Sequence, residues 1–319
     1  MKTIAVVIPF LDEEANIPEM YRRMDAVFAR LPEQGVFLFV DDGSTDGSVA
    51  WLEHQARADP RVRVLELSRN YGHQIAITAG LDHADADATV IIDCDLQDPP
   101  EVIPDLVTRW REGCDVVYAV RDSRDGETWL KTFLAAAFYK VFQKLVKVPI
   151  PANTGDFRLV DRKVVDALRE VRELHRFMRG LTCWVGYRQC AVHYHRAARH
   201  AGSTKYPVWK SLRLAFDAIT SFSASPLRWM TGVGVLVAVC GVLQVLSIVW
   251  RKFFRPESLV QGWATLAALI LLLGGLQLVC LGLIGQYISR IFEESKRRPL
   301  YFLKSGRERP SPTPAADGR

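Results

Sequence analysis

The 319-residue chain has no Cys-x-x-Cys pair and no His/Cys run of zinc-binding spacing, which argues against a structural zinc site. Its six cysteines, Cys94, Cys114, Cys183, Cys190, Cys240 and Cys280, are expected to be reduced packing residues, two of them in the apolar C-terminal part. Nor does a secretory signal open the chain. Met1–Phe10 offers one Lys and a short apolar run interrupted by Pro9, so the N-terminal part is expected to stay in the cytosol. Low hydrophobicity is also missing: aromatic and β-branched residues are plentiful through residue 228, which excludes disorder there.

Charge is absent from two long runs. Thr231–Trp250 has no Asp, Glu, Lys or Arg over 20 positions, and Gln261–Ser289 has none over 29. At about 1.5 Å per residue either run can cross a hydrocarbon core of about 30 Å. The linker Arg251–Val260 is short and polar, so the two predicted spans, about 230–250 and 262–289, form a hairpin over 229–289 with both ends on one side. The following tail, 290–319, begins with the basic cluster Lys296, Arg297 and Arg298, which marks a cytosolic flank. Arg251, Lys252 and Arg255 in the linker argue less clearly.

What charge there is divides unevenly. Residues 1–156 carry 16 basic and 26 acidic side chains, a net of −10, whereas residues 157–228 carry 14 and 5, a net of +9. The first half suits cations and the second suits phosphates or an anionic surface.

The N-terminal part alternates short β-branched runs, Ile4–Ile8, Val36–Val40, Val62–Leu67 and Thr89–Ile92, with amphipathic stretches such as Ile17–Leu31 and Ser48–Ala58. This rhythm predicts an α/β fold with a mostly parallel sheet and a ligand site beyond the carboxyl ends of the strands. Two stretches with helical apolar stripes and basic margins, Lys131–Val148 and Pro207–Phe222, read as amphipathic helices in the membrane interface, the alternative being ordinary amphipathic helices on a core; proximity to the first span favours the interface more for the second. The second defines an expected interfacial segment, 207–228, after a catalytic domain over 1–206.

Four clusters carry chemistry. VDDGSTDGS (Val40–Ser48) places two carboxylates and turn-forming glycines at a strand end, where they can bond a base or ribose; an Asx-rich turn has the same composition. In TVIIDCDLQDPP (Thr89–Pro100), Asp93 and Asp95 stand at i and i+2 after an apolar strand. Paired carboxylates repel unless a cation lies between them, and oxygen ligation suits Mg²⁺ or Mn²⁺ rather than Zn²⁺. Gln97 and Asp98 can add a contact. NTGDFRLVDR (Asn153–Arg162) reads as a Gly turn before a polar helix, with Asp156 either an active-site carboxylate or a helix cap and Arg158 its partner. A basic set, Arg121, Arg124, Arg176, Arg179, Arg196 and Arg199 leading into Gly202–Tyr206, suits a phosphate at a membrane boundary.

Together with VIPFLDEE (Val7–Glu14), SRNYGHQ (Ser68–Gln74), TGDFRL and RAARHAGSTKY, these motifs resemble the polyprenyl-phosphate glycosyltransferases of family 2, GT-A type, in order from about Thr3 to Leu303. The group includes dolichol-phosphate mannosyltransferases and bacterial undecaprenyl-phosphate glucosyltransferases. The resemblance implies a Rossmann-like GT-A catalytic domain and inverting, metal-dependent transfer of one sugar to a lipid phosphate. UDP-glucose is the favoured donor; GDP-mannose, or a non-phosphate lipid such as diacylglycerol as acceptor, is the alternative. Carried over residue by residue, Pro9, Leu11, Glu13 and Asp42 line the nucleoside site. Asp93, Asp95 and Gln97 hold the metal and diphosphate, and Arg121, Lys131, Arg196 and Arg199 grip the acceptor phosphate. Asp95, Asp156, Arg121 and Arg196 are the expected catalytic set. Asp12 departs from the family's usual Asn. The resemblance further implies a homotetramer in the cytoplasmic membrane, multi-pass, with its catalytic domain facing the cytosol and no nucleic-acid partner.

Overall fold

The computed structural model describes residues 1–121, 151, 154–195 and 262–304, with scattered positions between 232 and 254. The expected interfacial stretches Lys131–Val148 and Pro207–Phe222 lie outside these residues.

The first four expected strands form as β1 (Thr3–Phe10), β2 (Gln34–Asp41), β3 (Val62–Glu66) and β4 (Ala88–Ile91). Between them run α1 (Ile17–Phe28), α2 (Ser48–Ala58) and α3 (His73–His83). A 3₁₀ turn, Pro100–Val102, leads into α4 (Ile103–Arg111), followed by β5 (Val116–Arg121), β6 (Thr154–Asp161), α5 (Arg162–Glu170), α6 (Met178–Trp184) and β7 (Gln189–Tyr194). The seven strands lie in the order β3-β2-β1-β4-β6-β5-β7. Among the described strands only β6 runs antiparallel to its neighbours.

Strand alternation builds two layers. Ile4, Val6, Ile8 and Phe10 of β1 face a core with Phe37, Phe39, α1 and α4, whereas Ala5 and Val7 face the small residues Ala76 and Ala79 of α3. Phe37 and Phe39 are wholly buried, and truncating such a side chain to Ala typically costs about 3–5 kcal/mol.

Two expectations change. Thr154–Asp161 is a strand, not a turn, because Phe157, Leu159 and Val160 bury fully between β4 and β5. The α5 cap is Asp161, whose Oδ1 accepts from Lys163 N at 3.1 Å, so Asp156 is not a capping residue. Secondly, Cys114 and Cys190 form a disulfide rather than lying reduced, whereas Cys94, Cys183 and Cys280 are free. The parallel pairing of β5 with β7 brings their Cα atoms to 6.0 Å, a spacing a disulfide spans.

A 33-residue helix, α7 (Trp263–Ser295), covers the second uncharged run and continues past Ser289 through Arg290, Glu293 and Glu294. Its Leu273–Ser295 portion is long and apolar enough to cross a membrane. The positions described between 232 and 254 are helical. The chain divides into two compact units, one comprising Met1–Gln143, Val148–Pro207 and Pro299–Arg319, the other Lys144–Lys147 and Val208–Arg298.

The residues after α7 are not a free tail as far as Lys304. Ser68 N donates to Phe302 O at 2.8 Å and Lys304 N to Glu66 O at 2.9 Å, pairing the segment antiparallel to the end of edge strand β3. Tyr301 and Leu303 pack beside Leu67, Ala76 and Ala79. The C-terminal end of this edge is thereby paired.

Candidate active site

The strand order reverses between β1 and β4, and the two strands part there. β4 pairs with Ile4–Val7 alone, whereas β1 continues to Phe10 beside β2. Such a fork is where an open α/β sheet leaves a ligand crevice. Pro9 is buried past the last β4 pair, where a strand can tolerate a residue without an N–H. Leu11 follows at 40% exposure.

The loops after β1 and β2 are fastened to each other. Asp12 adopts φ +54°, a left-handed conformation that Asp tolerates better than most residues, and its Oδ1 accepts from Thr45 N at 2.7 Å. Asp12 N donates to Ser44 Oγ, Glu13 N to Ser48 Oγ, and Gly47 N to Glu14 Oε2. The carboxylate at position 12 thus meets the turn requirement that an Asn would meet. Glu13 Oε2 accepts from Asn16 Nδ2 at 2.5 Å. Asp42 is buried, and its two oxygens accept from Tyr71 N at 2.7 Å and Gly72 N at 2.9 Å. Burial raises its pKa more than those N–H groups lower it. Asp42 therefore holds the loop that starts α3, and Gly72, at φ +97°, makes that turn without a side-chain clash.

Past β4, Asp93, Asp95 and Gln97 are half-buried and alternate with the buried Cys94, Leu96 and Asp98, which places the three expected donors on the more open side. Asp95 Oδ1 accepts from Gln97 N at 3.1 Å. Asp93 Oδ1 is buried, accepts no hydrogen bond, and lies 3.3 Å from His73 Nε2. Asp93 and Asp95, with the Gln97 amide oxygen beside them, offer oxygen ligation of the kind a hard divalent cation takes. Among the described residues no three His, Cys, Asp or Glu side chains gather as a complete metal site. Two carboxylates completed by phosphate oxygens is an arrangement Mg²⁺ commonly takes.

Asp156 lies across from this pair. Arg179 Nε donates to its Oδ1 at 2.9 Å, Gln74 Nε2 to its Oδ2 at 3.2 Å, and His73 Nε2 stands 3.5 Å away. Burial alone would raise the Asp156 pKa, but His73, Arg179 and Arg158 outweigh it and hold the carboxyl well below the usual carboxylate range. His73 answers in kind. Burial pulls its pKa down, yet Asp156 and Asp93 push it up to about 10, so the imidazole carries a proton at neutral pH. Arg158, expected to partner Asp156, bonds instead to Thr182 Oγ1 and the carbonyls of Gly155 and Asp156.

Arg121 is 12% exposed, with its Nη2 3.3 Å from both oxygens of the buried Asp98. Its Nε donates to Tyr194 OH at 3.1 Å, and that hydroxyl donates to Asp98. Gly155 permits this arrangement, because a Cβ there would stand 2.6 Å from Arg121 Nη2. Arg176 is buried, its Nη1 and Nη2 donating to the carbonyls of Val171 and Leu168. Lys131, Arg196 and Arg199 lie outside the described residues, as do Arg124 and Gly202–Tyr206.

His73 and Gln74 lie in the SRNYGHQ motif without a role read from it, and Tyr194 is not singled out by the sequence at all. A Gly followed by two hydrogen-bonding side chains, in the Ser68–Gln74 motif, was the available sign for the first two. Tyr194 had none, since it ends an ordinary apolar strand.

The sheet, its fork and the acidic pair define a GT-A type glycosyltransferase domain. Residues 5–169 match Glycosyl transferase family 2 and residues 225–291 match the GtrB C-terminal hairpin. An uncharacterized glycosyltransferase of Bacillus subtilis is 46% identical over 300 residues, covering 94% of this chain and 93% of its own length. The bactoprenol glucosyl transferase of Shigella phage SfV is 40% identical over 311 residues, covering 96% and 99%. A prophage bactoprenol glucosyl transferase homolog of Escherichia coli K12 is 40% identical over 302 residues, covering 94% and 98%. The chain belongs to glycosyltransferase family 2.

Proposed function

We propose that the protein transfers one glucosyl residue from UDP-glucose to a membrane polyprenyl phosphate, inverting the anomeric centre and releasing UDP. The acceptor class and the sugar are supported by full-length similarity to bactoprenol glucosyl transferases. The observation that carries the chemistry is the fork-side constellation of Asp93, Asp95 and an Asp156 held ionised by Arg179, Gln74 and His73.

In the proposed reaction an acceptor phosphate oxygen bonds to C1 of glucose as the bond from C1 to the diphosphate breaks. A phosphate monoester has a second pKa of about 6, so the acceptor is largely dianionic at neutral pH and needs little general-base help. Asp156, with its low proton affinity, fits orientation of the donor sugar better than proton abstraction. Asp93, Asp95 and Gln97 would hold Mg²⁺ or Mn²⁺, which supplies charge neutralisation at the departing diphosphate. Pro9, Leu11, Glu13 and Asp42 form the nucleoside wall, Asp42 through the loop it fixes. Arg121, steadied by Asp98 and Tyr194, joins Lys131, Arg196 and Arg199 as the acceptor-phosphate grip. In-line positioning then does most of the catalysis.

The same reading puts the catalytic domain, 1–206, on the cytosolic face of the cytoplasmic membrane, followed by an interfacial segment, 207–228. A two-span hairpin, 229–289, anchors it ahead of the 290–319 tail, in a homo-oligomer. The test is purified full-length protein carrying Asp95→Asn. Folding should be retained and most glucosyl transfer lost; wild-type turnover by the variant removes the metal assignment.

A further inference from the structure

Gln74 makes two contacts that tie together the elements around Asp156. Its Oε1 accepts from Met178 N at 2.8 Å, which fixes the amide orientation, and its Nε2 then faces Asp156 Oδ2 at 3.2 Å. Met178 opens α6, and the next residue, Arg179, bonds the other Asp156 oxygen. Gln74 itself is the second residue of α3, whose start is set by Asp42 through Tyr71 N and Gly72 N. One amide thus spans the start of α3, the start of α6 and a buried carboxylate on β6.

We propose that Gln74 is a positioning residue of the transfer reaction, fixing the Asp156 carboxylate and the Arg179 guanidinium in a single orientation toward the donor sugar. The inference rests on the glucosyl-transfer reading, because it concerns the group assigned there to orient the donor. The physical case is directional. Asp156 is 3% exposed, so water does little to hold its carboxylate plane, and rotation about its χ2 is intrinsically broad. Arg179 bonds both oxygens from a side chain that is one-third exposed, and His73 Nε2 stands 3.5 Å from Oδ2. Gln74 adds a bond from an amide whose own oxygen is anchored to a backbone N–H. That backbone anchor limits rotation of the carboxylate plane.

The experiment uses full-length protein in lipid vesicles containing undecaprenyl phosphate, with UDP-glucose as donor and UDP binding measured separately. Losing a hydrogen bond to a buried charge corresponds to about a 10- to 100-fold effect. Gln74→Leu should lower kcat by that factor with KM for UDP-glucose and UDP affinity changed little. The decisive comparison is Asp156→Asn against Asp156→Asn combined with Gln74→Leu. If Gln74 acts through Asp156, the double variant is no slower than Asp156→Asn alone. Independent, multiplying losses overturn the proposal, as does a Gln74→Leu enzyme of wild-type kcat. Gln74→Glu serves if the leucine variant does not fold: it keeps an acceptor for Met178 N and sets a second carboxylate against Asp156, so kcat should again fall with UDP affinity kept. Absence of transfer by the wild-type protein, with UDP still bound, would instead count against the glucosyl-transfer reading itself.

Discussion

His73 Nε2 lies 3.3 Å from Asp93 Oδ1, so the start of α3 places a protonated imidazole against an expected metal ligand. The same nitrogen stands 3.5 Å from Asp156 Oδ2. With its folded pKa raised from 6.5 to about 10, His73 contributes stability that is complete below about pH 6.5 and is lost as the pH rises toward 10. In chelator, the melting temperature of the wild type should therefore exceed that of His73→Gln most at pH 6, with the gap closing by pH 10. A gap independent of pH contradicts this ion-pair reading.

If two carboxylates share the cation with the donor's diphosphate, metal and nucleotide affinities must be coupled, and equally in both directions. Calorimetric titration with Mn²⁺ should give weak binding alone and at least about tenfold tighter binding with UDP present, within the coupling range common for linked sites. Equal Mn²⁺ affinity with and without UDP would place the ion elsewhere.

Gly155→Ala inserts a Cβ 2.6 Å from Arg121 Nη2 and 3.6 Å from Asp98 Oδ2. Overpacking of this kind costs roughly 1–3 kcal/mol, and here the arginine must move away from Asp98. The variant should fold with a lowered melting temperature and show a raised KM for the lipid phosphate while UDP binding is retained. An unchanged acceptor KM would separate Arg121 from the acceptor site.

Tyr301 donates to Asp82 Oδ2 at 3.0 Å, where Arg172 also bonds at 2.7 Å. Burial and the Asp82 carboxylate both raise the Tyr301 pKa, so its proton stays in place. Tyr301→Phe removes one hydrogen bond to a charge, a loss of roughly 1–3 kcal/mol. Hydrogen exchange along α3 should quicken, and Leu303→Asp should do the same more strongly by placing a charge among Leu67, Ala76 and Ala79. Unchanged exchange in both would mean that the segment after α7 does not support α3.

The parallel half of the sheet was legible in the sequence because Ile4–Ile8, Val36–Val40 and Thr89–Ile92 are apolar runs ending at polar turns. Asp93 and Asp95 were legible for the same reason, as charges set at the end of a buried strand. β6 was not: Asp156 and Arg158 look like turn or surface residues until Gln74 and Arg179 meet the buried carboxylate, and Thr182 Oγ1 and the Gly155 carbonyl meet the buried guanidinium. The Cys114–Cys190 link joins positions 76 residues apart, a pairing set by strand order rather than by local spacing. Tyr301–Lys304 carries a pattern too short to announce docking, and its partners, Glu66, Ser68 and Asp82, lie more than 200 residues earlier.

The most direct test of the central claim is a donor panel. Full-length protein in vesicles with undecaprenyl phosphate and Mg²⁺ is given labelled UDP-glucose, UDP-galactose, UDP-N-acetylglucosamine or GDP-mannose, and the lipid is extracted. Label should enter the lipid fraction from UDP-glucose, as a mild-acid-labile glucosyl phosphate, and should fail to do so when diacylglycerol replaces the lipid phosphate. Preferential transfer from GDP-mannose, or equal labelling of diacylglycerol, would contradict the account.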